Sequence, residues 1–361
     1  QVLVVNGVFF ATDKNDRLAQ SLEKKSTAAL GRVPQTIQDL PRYIVPLKPF
    51  NTVGLTSLKK ILEDAPAAEL TMGLAAQSIE AKATMSLAAL AKELANDEHG
   101  LVLVMGKGGV GKTTVAAALA VAIAKLGKHV HLTTTDPAAH LAQTIVGTLP
   151  NLTVSRIDPK EETRLYTDKI LASKGKLLDA DGLALLREDL ASPCTEEVAV
   201  FHAFAKTVFE ARRGIVILDT APTGHTLLLL DAAGSYHREM LKKMEESAPG
   251  KLTTPLMMLQ DSTQSKVLLV TLAETTPVSE AAALQQDLRR ASIEPYGWVV
   301  NRSLAASTTS DLVLMQRAAN EHEQLQRIMN GLATRVAILP LMPDEPVGID
   351  LLDQLLAQES K

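Results

Sequence analysis

The chain has 361 residues, a formal net charge of −4, a single cysteine and only 3% aromatic residues. That length accommodates one large α/β domain or two average ones, with a sizeable core. The charge gives no footing for nucleic acid. A lone Cys194 excludes an internal disulfide and suits a reducing cytoplasm, and without a basic–apolar leader or a membrane-length apolar run any membrane role is expected to act through a partner.

In chain order, Val2-Leu3-Val4-Val5-Asn6 is an apolar run closed by Asn, and Trp298-Val299-Val300-Asn301 repeats it. Ile44-Val45-Pro46-Leu47-Lys48-Pro49 returns as Ile338-Leu339-Pro340-Leu341-Met342-Pro343, and Val53-Gly54-Leu55 as Val347-Gly348-Ile349. Both copies run on into a Leu-rich helix, and their Asn-to-Pro spacings differ by one residue. Internal repeats decide the architecture. Residues 1–62 are therefore expected to be the tail of an earlier copy whose phosphate loop is missing, making the chain a fragment of a tandem-duplicated protein. The alternative is chance similarity between two strand–loop–helix units, against which the repeated P-L-x-P followed by V-G argues. Residues 63–80, with Pro66, many alanines and mixed charge, read as a linker. Residues 81–361 then form one domain. Met85 to Ala95, with Leu87, Leu90 and Leu94 at spacings of three and four, predicts a short amphipathic helix.

Gly100-Leu101-Val102-Leu103-Val104 predicts a strand, and the Ala-rich run Val115 to Leu126, closed by Gly127, predicts a helix. Between them stands Met105-Gly106-Lys107-Gly108-Gly109-Val110-Gly111-Lys112-Thr113-Thr114, of which residues 106–113 fit the G-x-x-x-x-G-K-[ST] phosphate loop. Glycines let backbone N–H groups turn inward around phosphate oxygens, and the helix N-terminus favours the same anion. Lys112 is expected to reach the β- and γ-phosphates of ATP, and the Thr113 hydroxyl to ligate Mg²⁺. Lys107 is a second lysine just after the first glycine. It is either a solvated loop residue or the signature lysine of the deviant Walker A class, which this string resembles. In that class it reaches a partner's nucleotide across a pseudo-symmetric interface.

His129 to Asp136 reads as a strand ending in Asp136, where open α/β sheets place ligand-binding groups. Asp136 is a candidate to orient the attacking water or a Mg²⁺-bound water, or else the turn residue of an Asp-Pro pair with Pro137. Residues 158–213 carry no strand signal and read as a helical insertion. Within it, Ser192-Pro193-Cys194-Thr195-Glu196-Glu197 has the pattern of a helix start. Cys194 is either a small apolar residue or a reactive thiol at that N-terminus.

Gly214 to Leu218 predicts a buried strand ending in Asp219, which fits Walker B and would hold the Mg²⁺ shell through water. The loop Thr220-Ala221-Pro222-Thr223-Gly224-His225-Thr226 follows, with Gly224 giving it freedom to move when the γ-phosphate leaves. His225 is either a loop hydrogen-bonder or a link between a ligand and hydrolysis. Met240, Met244, Met257 and Met258 make Arg238 to Gln260 Met-rich, read first as core and second as an adaptable apolar surface. Lys266 to Leu272, Tyr296 to Val300 and Arg335 to Leu339 supply further strands. Asn301 ends one of them, placed to read the adenine edge, and Pro340 to Pro346, including Pro343, would flank the base. The fold class is α/β: a P-loop NTPase with a mostly parallel sheet flanked by helices.

Lys107 to Thr114, Asp136-Pro137-Ala138-Ala139-His140 and Asp219 to Thr226 together resemble the arsenical pump-driving ATPase family, over essentially the whole chain. With its orphan start, the chain is similar to the C-terminal half of the duplicated bacterial enzymes. The resemblance implies MgATP hydrolysis, As(III) or Sb(III) as activating ligand, and a helical metalloid-site subdomain. It matches Cys194, His225 and Ser192 to metalloid-site residues. It also implies three partners: the missing N-terminal ATPase half, a membrane arsenite efflux protein and a metalloid chaperone. The location implied is cytoplasmic, peripheral to the inner membrane. The competing expectation is a tail-anchored membrane-protein targeting ATPase, whose family shares the P-loop and both switch loops. That family typically carries a Cys-x-x-Cys zinc pair, which this sequence lacks. A chromosome-partitioning ATPase would share the loop lysines but not the T-G-H-T string.

Overall fold

The computed structural model describes residues 1–61, 84–136, 141–221, 233–235 and 253–357. The linker expected at 63–80, the loop from Pro137 to His140, the segment from Pro222 through His225, and Met240 and Met244 lie outside these residues.

The chain begins with β1 (Leu3–Val8), α1 (Arg17–Gly31), α2 (Gln35–Gln38), β2 (Arg42–Pro46) and α3 (Leu55–Ile61). Next come β3 (Thr84–Met85), α4 (Leu87–Leu94), β4 (Gly100–Met105), α5 (Lys112–Lys125), β5 (Val130–Thr134), α6 (Leu141–Thr144) and β6 (Leu152–Val154). Three helices follow: α7 (Pro159–Lys174), α8 (Ala180–Leu190) and α9 (Pro193–Glu210). The remainder is β7 (Ile215–Asp219), α10 (Pro255–Gln260), β8 (Ser265–Thr271), α11 (Thr275–Arg290), β9 (Gly297–Ser303), α12 (Leu312–Arg327), β10 (Val336–Pro340) and α13 (Ile349–Ala357).

Eight strands form one parallel sheet in the order β3-β10-β9-β8-β4-β7-β5-β6. β4 lies between β7 and β8, so the chain leaves it at a switch in strand order, where ligand crevices form. Alternation along β4 sends Val102 and Val104 into one core and Leu101, Leu103 and Met105 into the other. The first core also contains α5, which is buried on nearly every side from Val115 to Ile123. A helix apolar all round belongs between layers, and α5 packs against the sheet, α4 and α13. The second core takes the apolar stripes of α9 and α11. The region 158–213 is helical as expected, with Asp158 capping α7 and Tyr166 of α7 stacked on His202 of α9 at 5.4 Å.

Two boundaries differ from expectation. Helix α5 starts at Lys112 rather than Val115, because Gly111 at φ 89° turns the chain straight into the helix. That puts Lys112 and Thr113 on its first turn. β9 runs past Asn301 to Ser303 through a bulge at Arg302, whose φ is 53°.

The sequence repeat is also a conformational one. β1 and β2 pair in parallel with a bulge after Asn6, and Gly7 there has φ 77°, as β9 and β10 do after Asn301. Leu47 N–H donates to Val8 O at 2.8 Å, and Leu341 N–H to Ser303 O at 3.1 Å. Gly54 and Gly348 have φ of 85° and 86°, and each precedes a helix, α3 and α13 respectively. Asp16 caps α1 and Asp311 caps α12. The two copies meet over a small apolar core of Phe9, Leu18 and Ala19 against Leu304, Val313 and Leu314.

Candidate functional site

The loop from Gly106 to Gly111 crosses from β4 to α5 with its backbone pressed against neighbours. A Cβ at Gly106 would come 2.3 Å from the Val270 carbonyl oxygen, and one at Gly111 would come 2.1 Å from Asn301 Nδ2. Close approach to backbone requires glycine at Gly106, and the left-handed φ of 89° favours it at Gly111. Val110 is buried, Gly108 and Gly109 are exposed, and Thr114 is half-buried on the first turn of α5. Lys112 is buried and folds back, its Nζ donating to the Lys107 carbonyl oxygen at 3.2 Å. Burial lowers the Lys112 ammonium below its usual range, opposed by the charges of Asp219 and Asp136.

The ends of β5 and β7 bring carboxylates to this lysine. Thr113 Oγ1 donates to Asp219 Oδ2 at 2.7 Å, and Thr134 Oγ1 donates to the same oxygen at 3.3 Å. Asp219 Oδ1 is buried without a hydrogen-bond partner among the described residues. A hydroxyl facing a carboxylate with one unengaged oxygen is the kind of donor set a hard cation takes, keeping part of its water shell. Thr113 and Asp219 therefore fit Mg²⁺. Asp136, half-buried just past the end of β5, donates its backbone N–H to Thr134 Oγ1 at 3.0 Å. The strand ends are laced together: Thr135 N–H donates to Asp219 O, Ala221 N–H to Thr135 Oγ1, and Thr220 Oγ1 to Val104 O. Thr135 and Thr220 carried no signal in the sequence beyond standing next to the two aspartates.

Burial pushes the Asp219 carboxyl up to about 6, against the pull of the Thr113 hydroxyl and the Lys112 charge. Between its ordinary value of 3.8 and about 6, the folded chain holds a proton that the unfolded chain has released. Stability without nucleotide is therefore expected to fall as pH rises through that window and then level off. A displacement of that size corresponds to at most about 3 kcal/mol. Asp219→Asn should flatten this part of the profile, read from denaturant midpoints across the window. A variant with the same slope as the parent would contradict the assignment.

Asn301 Nδ2 donates to Val110 O at 2.9 Å, and its Oδ1 accepts from Arg302 N–H at 3.0 Å. Asn301 thus spans from β9 to the phosphate loop, a contact its position at a strand end did not disclose. Pro343 is half-buried in the loop after β10. Lys107 reaches outward instead, its Nζ 3.8 Å from Glu280 of α11, with both side chains about half exposed. Such a pair holds Lys107 only weakly. Cys194 is exposed on the first turn of α9. Ser192, the residue before Pro193, has its Oγ 3.4 Å from Thr195 Oγ1. The structure thus gathers Lys112, Thr113, Asp136, Asp219 and Asn301 around one loop. Ser192 and Cys194 stand together at the start of another helix, and His225 lies outside the described residues.

Comparison with known proteins adds a family. The family model described as anion-transporting ATPase matches residues 99–256 and 228–359. The chain is 51% identical to an arsenical pump-driving ATPase of Escherichia coli, over 98% of this chain and 60% of that protein. It is 49% identical to an arsenical pump-driving ATPase of Acidiphilium multivorum, over 99% of this chain and 61% of that protein. Similarity to ATPase GET3A of Arabidopsis thaliana is lower, 26% over 70% of this chain and 81% of that protein. The chain thus spans about three fifths of the length of the bacterial relatives, at 60% and 61%.

Proposed function

This chain belongs to the anion-transporting ATPase family, and on that premise we propose that it hydrolyses MgATP to drive arsenite or antimonite efflux through a membrane pump partner. The observation that carries the reading is the buried Lys112 beside the Thr113–Asp219 pair, with one Asp219 oxygen unengaged among the described residues. Residues 106–114 cradle the phosphates, Lys112 neutralises charge developing on the transferred group, and Asp136 positions the attacking water. Bound Mg²⁺, held by Thr113 and through water by Asp219 and Asp136, would neutralise charge on the phosphate oxygens. Asn301 and Pro343 line the base end.

Residues 1–62 are the tail of a preceding ATPase copy, 63–80 the linker and 81–361 the ATPase domain, a division supported by the matched bulges, caps and glycine turns of the two repeats. Lys107, solvent-facing and weakly held, serves the nucleotide of that other copy. Cys194, Ser192 and His225 bind As(III) or Sb(III), a soft centre that suits thiolate. Cysteines of the preceding copy complete the site. No described helix is long and apolar enough to cross a membrane.

The test is ATP turnover with and without Sb(III), in this chain and in a polypeptide that adds the preceding copy. Sb(III) should raise turnover of the longer protein, and both Cys194→Ser and Lys107→Ala should blunt the rise while nucleotide affinity stays near that of the parent. Stimulation by a hydrophobic tail peptide and none by Sb(III) would favour the targeting reading in its place.

A further inference from the structure

Helix α1 belongs to the N-terminal repeat, yet its first two turns hold two loops of the C-terminal one. Asp16 is 6% exposed and divides its carboxylate. Oδ1 accepts from Ala19 N–H of its own helix at 3.0 Å. Oδ2 accepts from Thr309 Oγ1, Ser310 N–H and Asp311 N–H at 2.5, 2.7 and 3.2 Å. Burial alone would raise this carboxyl, but the Thr309 hydroxyl and the backbone donors outweigh it and hold the group at about 2. One turn on, Ser21 Oγ donates to Pro343 O at 2.5 Å. The loop after β9 and the loop after β10 are thus both fastened to one short stretch of α1.

Those two loops and the start of α1 line a cavity of about 630 Å³, among its residues Asp16, Arg17, Ser307, Thr308, Met342 and Pro343. The loop after β9 is also tied inward. Glu321 accepts from Ser303 Oγ, Leu304 N–H and Ala305 N–H, and Asn301 at its head holds the phosphate loop through Val110 O. A continuous chain of contacts therefore runs from the phosphate loop to α1.

The arrangement is reciprocal. Asp311, fully buried, caps α12 with Oδ1 and with Oδ2 accepts from Thr12 N–H, Thr12 Oγ1 and Asp13 N–H at 2.6, 2.7 and 3.1 Å. Asn320 of α12 donates to Pro49 O at 2.7 Å, as Ser21 of α1 does to Pro343 O. Pro49 and Pro343 occupy the same place in the repeated P-L-x-P. Each repeat's helix grips the equivalent two loops of the other.

We propose that Asp16 and Ser21 are positioning residues for the purine base: through these hydrogen bonds they set the separation of the two loops between which the base sits, so that base affinity at one copy's site depends on the other copy's helix. This rests on the reading that the Pro343 loop flanks the base. A loop pair fastened at both rims presents its walls pre-organised, and loosening one fastening charges the ordering to the ligand.

The experiment is calorimetric titration of the full chain with MgATP and with Mg-tripolyphosphate, which has the phosphates but no base. In the parent, ATP should bind more tightly than tripolyphosphate. Ser21→Ala and Asp16→Asn should each weaken ATP about tenfold, the scale of a hydrogen bond to a charged or fixed group, and leave tripolyphosphate within about twofold. Asn remains a competent helix cap, and Ser21→Thr keeps the hydroxyl and should restore the parent ratio. If Asp16→Asn does not fold, the Ser21→Ala and Ser21→Thr pair carries the test. Equal loss of both affinities, or an unchanged ratio in folded Ser21→Ala, overturns the clamp. A parent that binds ATP no better than tripolyphosphate overturns the base reading itself, and the clamp with it.

Discussion

Replacing Lys112 by alanine is expected to weaken MgATP binding by at least about a hundredfold, the combined scale of two charge-assisted contacts to phosphate oxygens. In the structure Lys112 is buried on the first turn of α5, its ammonium held at the Lys107 carbonyl, so it already points along the loop that nucleotide would occupy. The cation carries a desolvation penalty that the neighbouring Asp219 and Asp136 only partly offset. An incoming phosphate relieves that penalty directly, which is why the contact is worth more here than on an open surface. Alanine at this place keeps the helix, and the circular dichroism spectrum should be unchanged. Calorimetric titration reads the affinity. A folded variant with the parent affinity would remove residues 106–114 from nucleotide binding.

Asp136→Ala should separate binding from chemistry. Nucleotide affinity is expected to stay within a few-fold of the parent, whereas single-turnover hydrolysis should fall by about 10² to 10⁴, the range of a positioned proton acceptor or water-orienting group. Asp136 stands at the end of β5, one strand beyond β7 and its Asp219, and its charge acts on Lys112. That is the right neighbourhood for a group felt only when a water attacks. Quenched-flow measurement of phosphate release in the longer polypeptide reads the effect. Unimpaired hydrolysis would reduce Asp136 to the turn residue before Pro137.

The sheet was legible wherever a strand was long enough to show an apolar run ending at a polar residue. β7, β8 and β9 have that form, β4 and β10 show as unbroken apolar runs, and the phosphate loop declared itself by spacing. β3 and β6 are two and three residues long, too short for any pattern, and they sit at the two edges of the sheet. The start of α5 was misplaced because helix propensity favoured the alanine run, while backbone geometry at Gly111 set the true boundary. In the site, residue types and strand ends pointed to Lys112, Thr113, Asp136 and Asp219. Their mutual contacts depend on strand order, which no local pattern carries. The reach of Asn301 to Val110 O crosses 191 residues of sequence, and the Lys107–Glu280 pair depends on where α11 packs. The exposure of Cys194 follows from which face of α9 meets the core, and a single cysteine has no periodicity to reveal it.

The bonds from Thr12 to Asp311 join positions 299 residues apart. In the cell, that distance is also a delay. At synthesis rates of roughly 5 to 20 residues per second, the β1–β2 unit leaves the ribosome about 15 to 60 s before α12 does. During that interval Phe9, Leu18 and Ala19 have no Leu304, Val313 or Leu314 to cover them. The paired aspartate caps are consequently among the last contacts made in the chain's maturation. An interrupted translation product would display Phe9, Leu18 and Ala19 uncovered, the kind of apolar surface that chaperones and proteases recognise.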